Sequence, residues 1–229
     1  MVFPVVRLFF RSPEEFKKQG RRAVSASFRF LICVMTVLDV ARQETKDRNV
    51  FLNLSGKIVV ANHPSLLDVV MLISLIPNAD CIVNGYLLKH FLRPIVRQMY
   101  IPHSLDFDKL VGLCTESLEQ GSCLIIFPQG TRTPRSGPIS VKKGAARISL
   151  LSGKGIVPVR IGGNDKWGLG KKAPWTAFNH TGSYLYDIKM LDEIKPEKYA
   201  GLPMSIAVKR MNEEIKDVLF GPGERERVI

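Results

Sequence analysis

The chain has 229 residues, 45% hydrophobic and 24% charged, which fits one folded domain with a substantial core. Its net charge of +12 favours a polyanionic partner, either nucleic acid, an anionic membrane surface or a phosphorylated substrate. Nucleic acid is disfavoured, because aromatic and basic residues do not interleave in any known recognition motif. No two of the four cysteines have C-x-x-C spacing, so we expect buried free thiols rather than a zinc site or disulfides.

Residues 1–42 differ from the rest because two apolar clusters, at 2–10 and 28–40, flank a basic stretch. The basic residues are Lys17, Lys18, Arg21, Arg22 and Arg29. The best apolar run is shorter than the roughly 20 residues that a spanning helix needs. We therefore expect two helices that lie on, or dip into, an anionic membrane surface. A plain helical hairpin packed on the core is the alternative.

From Asn49 onward, short apolar runs alternate with helical segments, which predicts an α/β domain over residues 43–229. Its central sheet should be mostly parallel and flanked by helices. A hairpin is predicted at 50–54 and 57–61. Further strands are predicted at 80–83, 99–102, 123–127, 156–161 and 184–190. Helices are predicted at 65–76, 86–98, 107–120, 141–152 and 204–219. A long surface loop is predicted at 162–174.

The stretch Asn62-His63-Pro64-Ser65-Leu66-Leu67-Asp68 directly follows a buried strand, and Pro64 and Ser65 favour a helix start. On one helix, residues five apart point about 140° away from each other. His63 and Asp68 can therefore meet only if His63 precedes the helix and Asp68 lies in its first turn. An ionised Asp68 would then orient the imidazole and leave its other nitrogen as a base.

Two simpler interpretations of this pair remain. His63 can be a loop residue that caps a turn beside a helix-capping aspartate. A metal site is the other, but it lacks a third ligand at usable spacing.

A second stretch, residues 124–132, repeats this pattern of a buried strand ending in a polar loop. Ligands of open α/β sheets bind outside the carboxyl ends of strands, where both loops would lie. Gly130 permits a close backbone approach or a positive φ. The guanidinium group of Arg132, with that of Arg135, can bind phosphate or carboxylate through two parallel N–H groups. Lys142 lies at the start of the next predicted helix, whose N-terminal backbone amides favour an anion. A surface ion pair and a solvated face are the alternatives for these cations.

Three motifs in order resemble those of the lysophospholipid and glycerol-phosphate acyltransferase family. They are Asn62-His63 with Asp68, Phe127-Pro128-Gln129-Gly130-Thr131-Arg132, and Ile156-Val157-Pro158-Val159. In length and layout the chain resembles the bacterial 1-acylglycerol-3-phosphate acyltransferases, and its basic N-terminus resembles their membrane-docking element.

The resemblance implies transfer of a fatty acyl group from acyl-CoA or acyl carrier protein to a lysophospholipid hydroxyl. The implied acceptor is 1-acylglycerol-3-phosphate, at the cytoplasmic face of the cell membrane, with peripheral or monotopic attachment and no metal or other cofactor. The implied catalytic residues are His63, the general base, and Asp68, its orienter. The implied substrate-binding residues are Gln129, Gly130, Thr131, Arg132, His103 and Lys142. The segment around Pro158 would shape the acyl pocket. The chain contains no G-x-S-x-G, so direct transfer is favoured over an acyl-enzyme.

Two departures from the family pattern concern the acceptor. Gln129 stands where the family usually has Glu, and His103 stands where an arginine is thought to hold the acceptor phosphate. Histidine holds phosphate only when protonated, which is partial at neutral pH for a pKa of about 6.5. A lysolipid with a head group other than phosphate, or a catalytically weak lipid-binding relative, is therefore the alternative.

Overall fold

In the computed structural model, the residues described are 12–83, 100–102, 106–133, 139–166, 169–170 and 182–221. The strands are β1 Ala41–Glu44, β2 Ile58–Ala61, β3 Ala79–Val83, β4 Tyr100–Pro102, β5 Cys123–Ile126, β6 Ile156–Gly162 and β7 Tyr184–Met190. The helices are α1 Pro13–Val37, α2 Arg48–Leu52, α3 Asp68–Leu75, α4 Phe107–Glu119, α5 Gly144–Ser152 and α6 Met204–Phe220, with a 3₁₀ turn at Pro196–Tyr199.

The seven strands form one sheet in the order β1-β7-β6-β2-β5-β3-β4. Every neighbouring pair is parallel except β6 and β7. The predicted α/β class with a mostly parallel sheet is confirmed. Strand β2 lies between β5 and β6 and is parallel to both, so the loops that leave the carboxyl ends of these three strands meet at one edge of the sheet.

Strand β2 shows why this sheet is covered on both faces. Val59 and Ala61 pack into a core shared with α3 and the inner face of α1, whereas Ile58 and Val60 pack against residues of α4, α5 and α6. All four side chains are fully buried. A continuous apolar run is typical of a parallel strand with helices on both sides.

The predicted hairpin at 50–61 is wrong in its first half, because Arg48–Leu52 forms a short helix. Phe51 points into the core while Val50 and Leu52 stay exposed. A short apolar run does not distinguish a strand from a helical turn, which explains the error. Strand β1 was not predicted. Helix α3 begins at Asp68 rather than Ser65, and α5 begins at Gly144 rather than Val141. The helix predicted at 86–98 lies outside the described residues.

Helix α1 is the described member of the predicted N-terminal pair, and its inner face carries an arginine. Nε of Arg21 donates to Oδ1 of Asp80 at 2.8 Å, and Nη1 donates to Oγ of Ser122 at 2.8 Å. Burial raises the pKa of Asp80, and the charge of Arg21 opposes that rise. Arg21 is buried and therefore not available to a membrane surface, which corrects the expectation for this residue.

Two further features of the described residues concern thiols and membranes. Cys81, Cys114 and Cys123 are buried free thiols, as predicted, but Cys33 on α1 is exposed. Burial raises the pKa of the Cys81 thiol to about 12. Within the described ranges, no helix combines the length and apolar character needed to cross a bilayer.

Candidate active site

The His63 and Asp68 side chains meet at the carboxyl end of β2. Nδ1 of His63 lies 2.7 Å from Oδ2 of Asp68, so the expected pairing is present. Asp68 begins α3, and residues 64–67 turn the chain between the two side chains. The carboxylate is fully buried, while a fifth of the His63 side chain is exposed. An Nδ1–H that donates to Asp68 leaves Nε2 as the proton acceptor.

Ser65 holds the Asp68 carboxylate from the other side. Its backbone N–H donates to Oδ2 at 2.8 Å, and its hydroxyl donates to Oδ1 at 2.5 Å. The Ser65 hydroxyl also lies 2.7 Å from the hydroxyl of Tyr186 on β7. Both oxygens of the Asp68 carboxylate thus accept hydrogen bonds, which fixes the orientation of the group.

The loop after β5 contacts His63 through Phe127 and Thr133. The imidazole stacks on the Phe127 ring at a centroid distance of 4.2 Å. The backbone N–H of His63 donates to Oγ1 of Thr133, and the Thr133 hydroxyl donates to Oε1 of Gln129 at 2.7 Å. The N–H of Thr133 donates to the His63 carbonyl oxygen at 2.6 Å. These bonds bring both predicted loops into one site.

Asn62 fixes the His63 loop against β6. Its amide Nδ2 donates to the Ile161 carbonyl oxygen at 2.8 Å, and its Oδ1 accepts from the Ile161 N–H at 2.7 Å. The side chain therefore replaces a strand partner where β2 ends. This paired bond leaves His63 little freedom to shift along the sheet edge.

Gly130, in the loop after β5, lies next to the side chain of Lys142. The Gly130 N–H donates to the Phe127 carbonyl oxygen at 3.0 Å and closes a turn. Gly130 has a φ of 67°, and a Cβ at this residue would lie 2.7 Å from Nζ of Lys142. A side chain larger than hydrogen would thus displace the ammonium group. Lys142 is exposed, so its charge faces solvent beside the His63 loop.

Arg132 is half-buried and partly engaged with the protein. Its Nη1 donates to the carbonyl oxygens of Leu169 and Gly170 at 3.0 and 2.7 Å. The Leu66 N–H donates to the same Leu169 oxygen at 3.0 Å. Arg132 therefore also ties residues 169–170 to the His63 loop, a role that the sequence did not predict.

Lys166 is a buried cation next to the same network. Its Nζ donates to the carbonyl oxygens of Gly162 and Asn164 at 2.9 and 2.8 Å and lies 4.8 Å from the ring centroid of Tyr186. Burial lowers the pKa of Lys166 to about 8, against the opposing charge of Asp68.

The remaining site predictions have different outcomes. Thr131 is exposed, and Gln129 is buried with an Nε2 that has no partner among the described residues. His103 and Arg135 lie outside the described residues. The sequence analysis missed Thr133, Tyr186 and Lys166. Only Tyr186 had a sequence signal, the alternating pattern of 184–190, in which Tyr184, Tyr186 and Ile188 are buried.

Comparison with known proteins identifies the family. A family model described as Acyltransferase matches residues 38–162, more than half of the chain. The chloroplastic 1-acyl-sn-glycerol-3-phosphate acyltransferase LPAT1 of Arabidopsis thaliana is 29% identical over 121 residues, 48% of this chain. The match spans only 32% of that relative's length.

A solved structure supports the fold over nearly the whole chain. It is PlsC from Thermotoga maritima, a 1-acyl-sn-glycerophosphate acyltransferase, with 20% identity and a TM-score of 0.72. The match covers 98% of this chain and 86% of that one. At this identity the likeness concerns the fold alone. With the family model covering the His63 and Gly130 loops, the chain belongs to the acyltransferase family, as its motifs predicted.

Proposed function

We propose that this protein transfers a fatty acyl group from an acyl thioester to the hydroxyl of a lysophospholipid. The donor is acyl-CoA or acyl carrier protein, and the preferred acceptor is 1-acylglycerol-3-phosphate. The observation that carries the proposal is the 2.7 Å contact between Nδ1 of His63 and the buried carboxylate of Asp68. It supports His63 as a base at the edge of the sheet where the two motif loops meet.

The proposed reaction needs one base and one leaving group. Nε2 of His63 takes the proton of the acceptor hydroxyl while its oxygen attacks the thioester carbonyl carbon. The tetrahedral intermediate then collapses, the C–S bond breaks, and the imidazolium returns the proton to the leaving thiolate. A positioned base typically contributes about 10²–10⁴-fold. Because the Gly130 amide is engaged in its turn, other groups must stabilise the oxyanion.

Arg132 and Lys142 are the cations that we assign to the acceptor phosphate. The Nη1 hydrogens of Arg132 are used by the protein, and its N–H groups on Nε and Nη2, which have no partner within the described ranges, are assigned to the anion. Lys142 places its ammonium group over Gly130. Neither assignment depends on His103.

The neutral side chain of Gln129 motivates a second candidate function. Its buried Nε2 has no partner among the described residues, and the family usually has a carboxylate there. A lysolipid with a head group other than phosphate is therefore the alternative acceptor. A weakly catalytic lipid-binding protein is the remaining alternative.

We further propose that the protein docks on an anionic membrane at the cytoplasmic face of the cell membrane, and the exposed apolar end of α1 supports the docking. Arg21 contacts Asn78 and Asp80 beyond the end of α3, whereas Ser25, further along α1, contacts the Ser74 carbonyl oxygen inside α3, so α1 runs antiparallel to α3. The C-terminal end of α1 therefore lies towards Asp68, at the start of α3. Phe30, Val37 and Leu38 are 72%, 80% and 67% exposed. These side chains can enter a bilayer beside the site.

The test uses purified protein with labelled palmitoyl-CoA or palmitoyl acyl carrier protein. The acceptors are lysolipids that differ only in head group, presented in vesicles with and without anionic lipid. We expect the highest kcat/KM with 1-acylglycerol-3-phosphate and a 10²–10⁴-fold loss of kcat in His63→Ala. A higher kcat/KM with another head group supports the alternative acceptor. Vesicle binding without turnover on any lysolipid supports the lipid-binding alternative.

A further inference from the structure

A continuous line of hydrogen bonds leads from the core of the sheet to His63. It starts at the Tyr186 hydroxyl, passes through the Ser65 hydroxyl to Oδ1 of Asp68, and continues from Oδ2 to Nδ1 of His63. Tyr186, Ser65 and Asp68 are all fully buried. His63 is the only member of this line that reaches solvent.

The direction of these bonds follows from the number of available protons. The Ser65 hydroxyl has one proton, and the acceptor-only carboxylate of Asp68 takes it. Tyr186 must therefore donate to Oγ of Ser65, which also accepts from the Leu67 N–H at 3.2 Å. Burial raises the pKa of Tyr186 above its usual value, so its hydroxyl stays protonated and remains a donor.

The position of Tyr186 is fixed by the sheet and by Lys166. Its neighbours on β7 pair with β6 in the antiparallel register that joins Ile161 to Ile188 and Gly162 to Asp187. Nζ of Lys166 lies over the ring, and two backbone carbonyl oxygens hold that ammonium group. The phenol therefore cannot turn away from Ser65 without disturbing the core.

We propose that Tyr186 is a positioning residue for acyl transfer, because its buried hydroxyl fixes the Ser65 hydroxyl and thereby the carboxylate that orients His63. The inference rests on the proposed function, but its physical content concerns the free protein. Without the tyrosine hydroxyl, the Ser65 hydroxyl has fewer bonds that hold it towards Asp68. The carboxylate then rotates more freely, and the imidazole spends less time in the orientation that suits proton transfer.

The first test compares Tyr186→Phe with Tyr184→Phe. The Tyr186 variant keeps the ring under Lys166 and loses only the hydroxyl. The Tyr184 variant is the matched control, because it removes another buried tyrosine hydroxyl two residues away on the same strand. We expect Tyr186→Phe to lower kcat about tenfold with an unchanged KM for both substrates. An unchanged kcat, or a raised KM at constant kcat, overturns the inference.

A double-mutant cycle with Ser65→Ala tests whether Tyr186 acts through Ser65. We expect the double variant to have the kcat of Ser65→Ala alone, because the tyrosine then has no serine hydroxyl to fix. Multiplicative losses mean that Tyr186 acts by another route and overturn the inference.

A measurement without turnover separates this inference from the proposed function. The His63 Nδ1–H proton can be assigned by its loss in His63→Gln and followed by proton NMR. We expect its exchange with water to be at least severalfold faster in Tyr186→Phe and unchanged in Tyr184→Phe. If the wild type lacks turnover but exchange changes this way, the function fails and the inference stands. Unchanged exchange overturns the inference. Should Tyr186→Phe not fold, Ser65→Ala must show the same faster exchange.

Discussion

Nδ1 of His63 and Oδ2 of Asp68 lie 2.7 Å apart because the chain turns between them before α3 begins at Asp68. In the proposed mechanism, Asp68 thereby determines which imidazole nitrogen carries the proton. In Asp68→Asn the amide can donate to Nδ1, which would move the proton to Nε2 and remove the base. We expect kcat to fall by about 10²–10⁴-fold, with little change in KM.

Steady-state kinetics with a fixed acceptor measure this loss, and circular dichroism confirms that the variant is folded. Asp68→Glu is the control for charge, because it keeps the carboxylate but displaces it by one methylene group. A wild-type kcat in Asp68→Asn contradicts the assigned role of Asp68.

The His63–Asp68 pair could be predicted from the sequence because the geometry is local. The two residues are five positions apart with a proline between them, and this spacing leaves one arrangement in which their side chains meet. By contrast, Thr133 lies 70 residues after its partner His63, and Tyr186 lies 121 residues after its partner Ser65. Their contacts depend on the strand order, which places β5 beside β2 for Thr133 and, for Tyr186, places β7 one strand further on the other side, next to β6. No local pattern specifies that order, so this part of the site could not be derived.

The fold shows the same division between local and distant information. The alternation of apolar runs with helical segments predicted most elements within a few residues, and β7 at its observed bounds. The helix at Arg48–Leu52 was mistaken for a strand because five residues are too few to show a period. The inward position of Arg21 was not predicted, because its partner Asp80 is 59 residues away.

Lys142 is expected to determine affinity for anionic head groups. Lys142→Met removes the ammonium group over Gly130, so we expect KM for 1-acylglycerol-3-phosphate to rise about tenfold at a nearly constant kcat. Lys143→Met is the control, since it removes a neighbouring exposed lysine. The rise should shrink at high salt, because ions screen an exposed charge. An equal rise for a neutral lysolipid contradicts an electrostatic role.

The buried Arg21–Asp80 pair is expected to contribute strongly to stability. Arg21→Met leaves the Asp80 carboxylate without its cation, and breaking such a pair typically costs about 3–5 kcal/mol. We expect the free energy of unfolding in urea to fall by that amount. Arg22→Met, next to it but exposed, should change it by less than about 0.5 kcal/mol. Equal effects of the two substitutions contradict this expectation.

The buried Lys166 is expected to make the free energy of unfolding depend on pH in the alkaline range. Burial lowers its pKa to about 8, whereas lysine in an unfolded chain titrates near 10.4. Between these values the unfolded chain binds a proton that the folded protein has lost. The free energy of unfolding therefore gains a positive slope with pH in this window. From pH 8 to 9.5 this contribution is on the order of 2 kcal/mol.

Urea unfolding of the wild type and Lys166→Met at pH 7, 8, 9 and 9.5 isolates this contribution, because the other groups titrate alike in both proteins. The range stops below the titration of unfolded tyrosine near pH 10, which would act in the opposite direction for Tyr186. We expect the stability of the wild type relative to the variant to rise above pH 8. Lys189→Met, at an exposed lysine that pairs with Asp187, should keep the wild-type slope. A difference between wild type and Lys166→Met that does not vary with pH means that Lys166 keeps its proton in the folded protein.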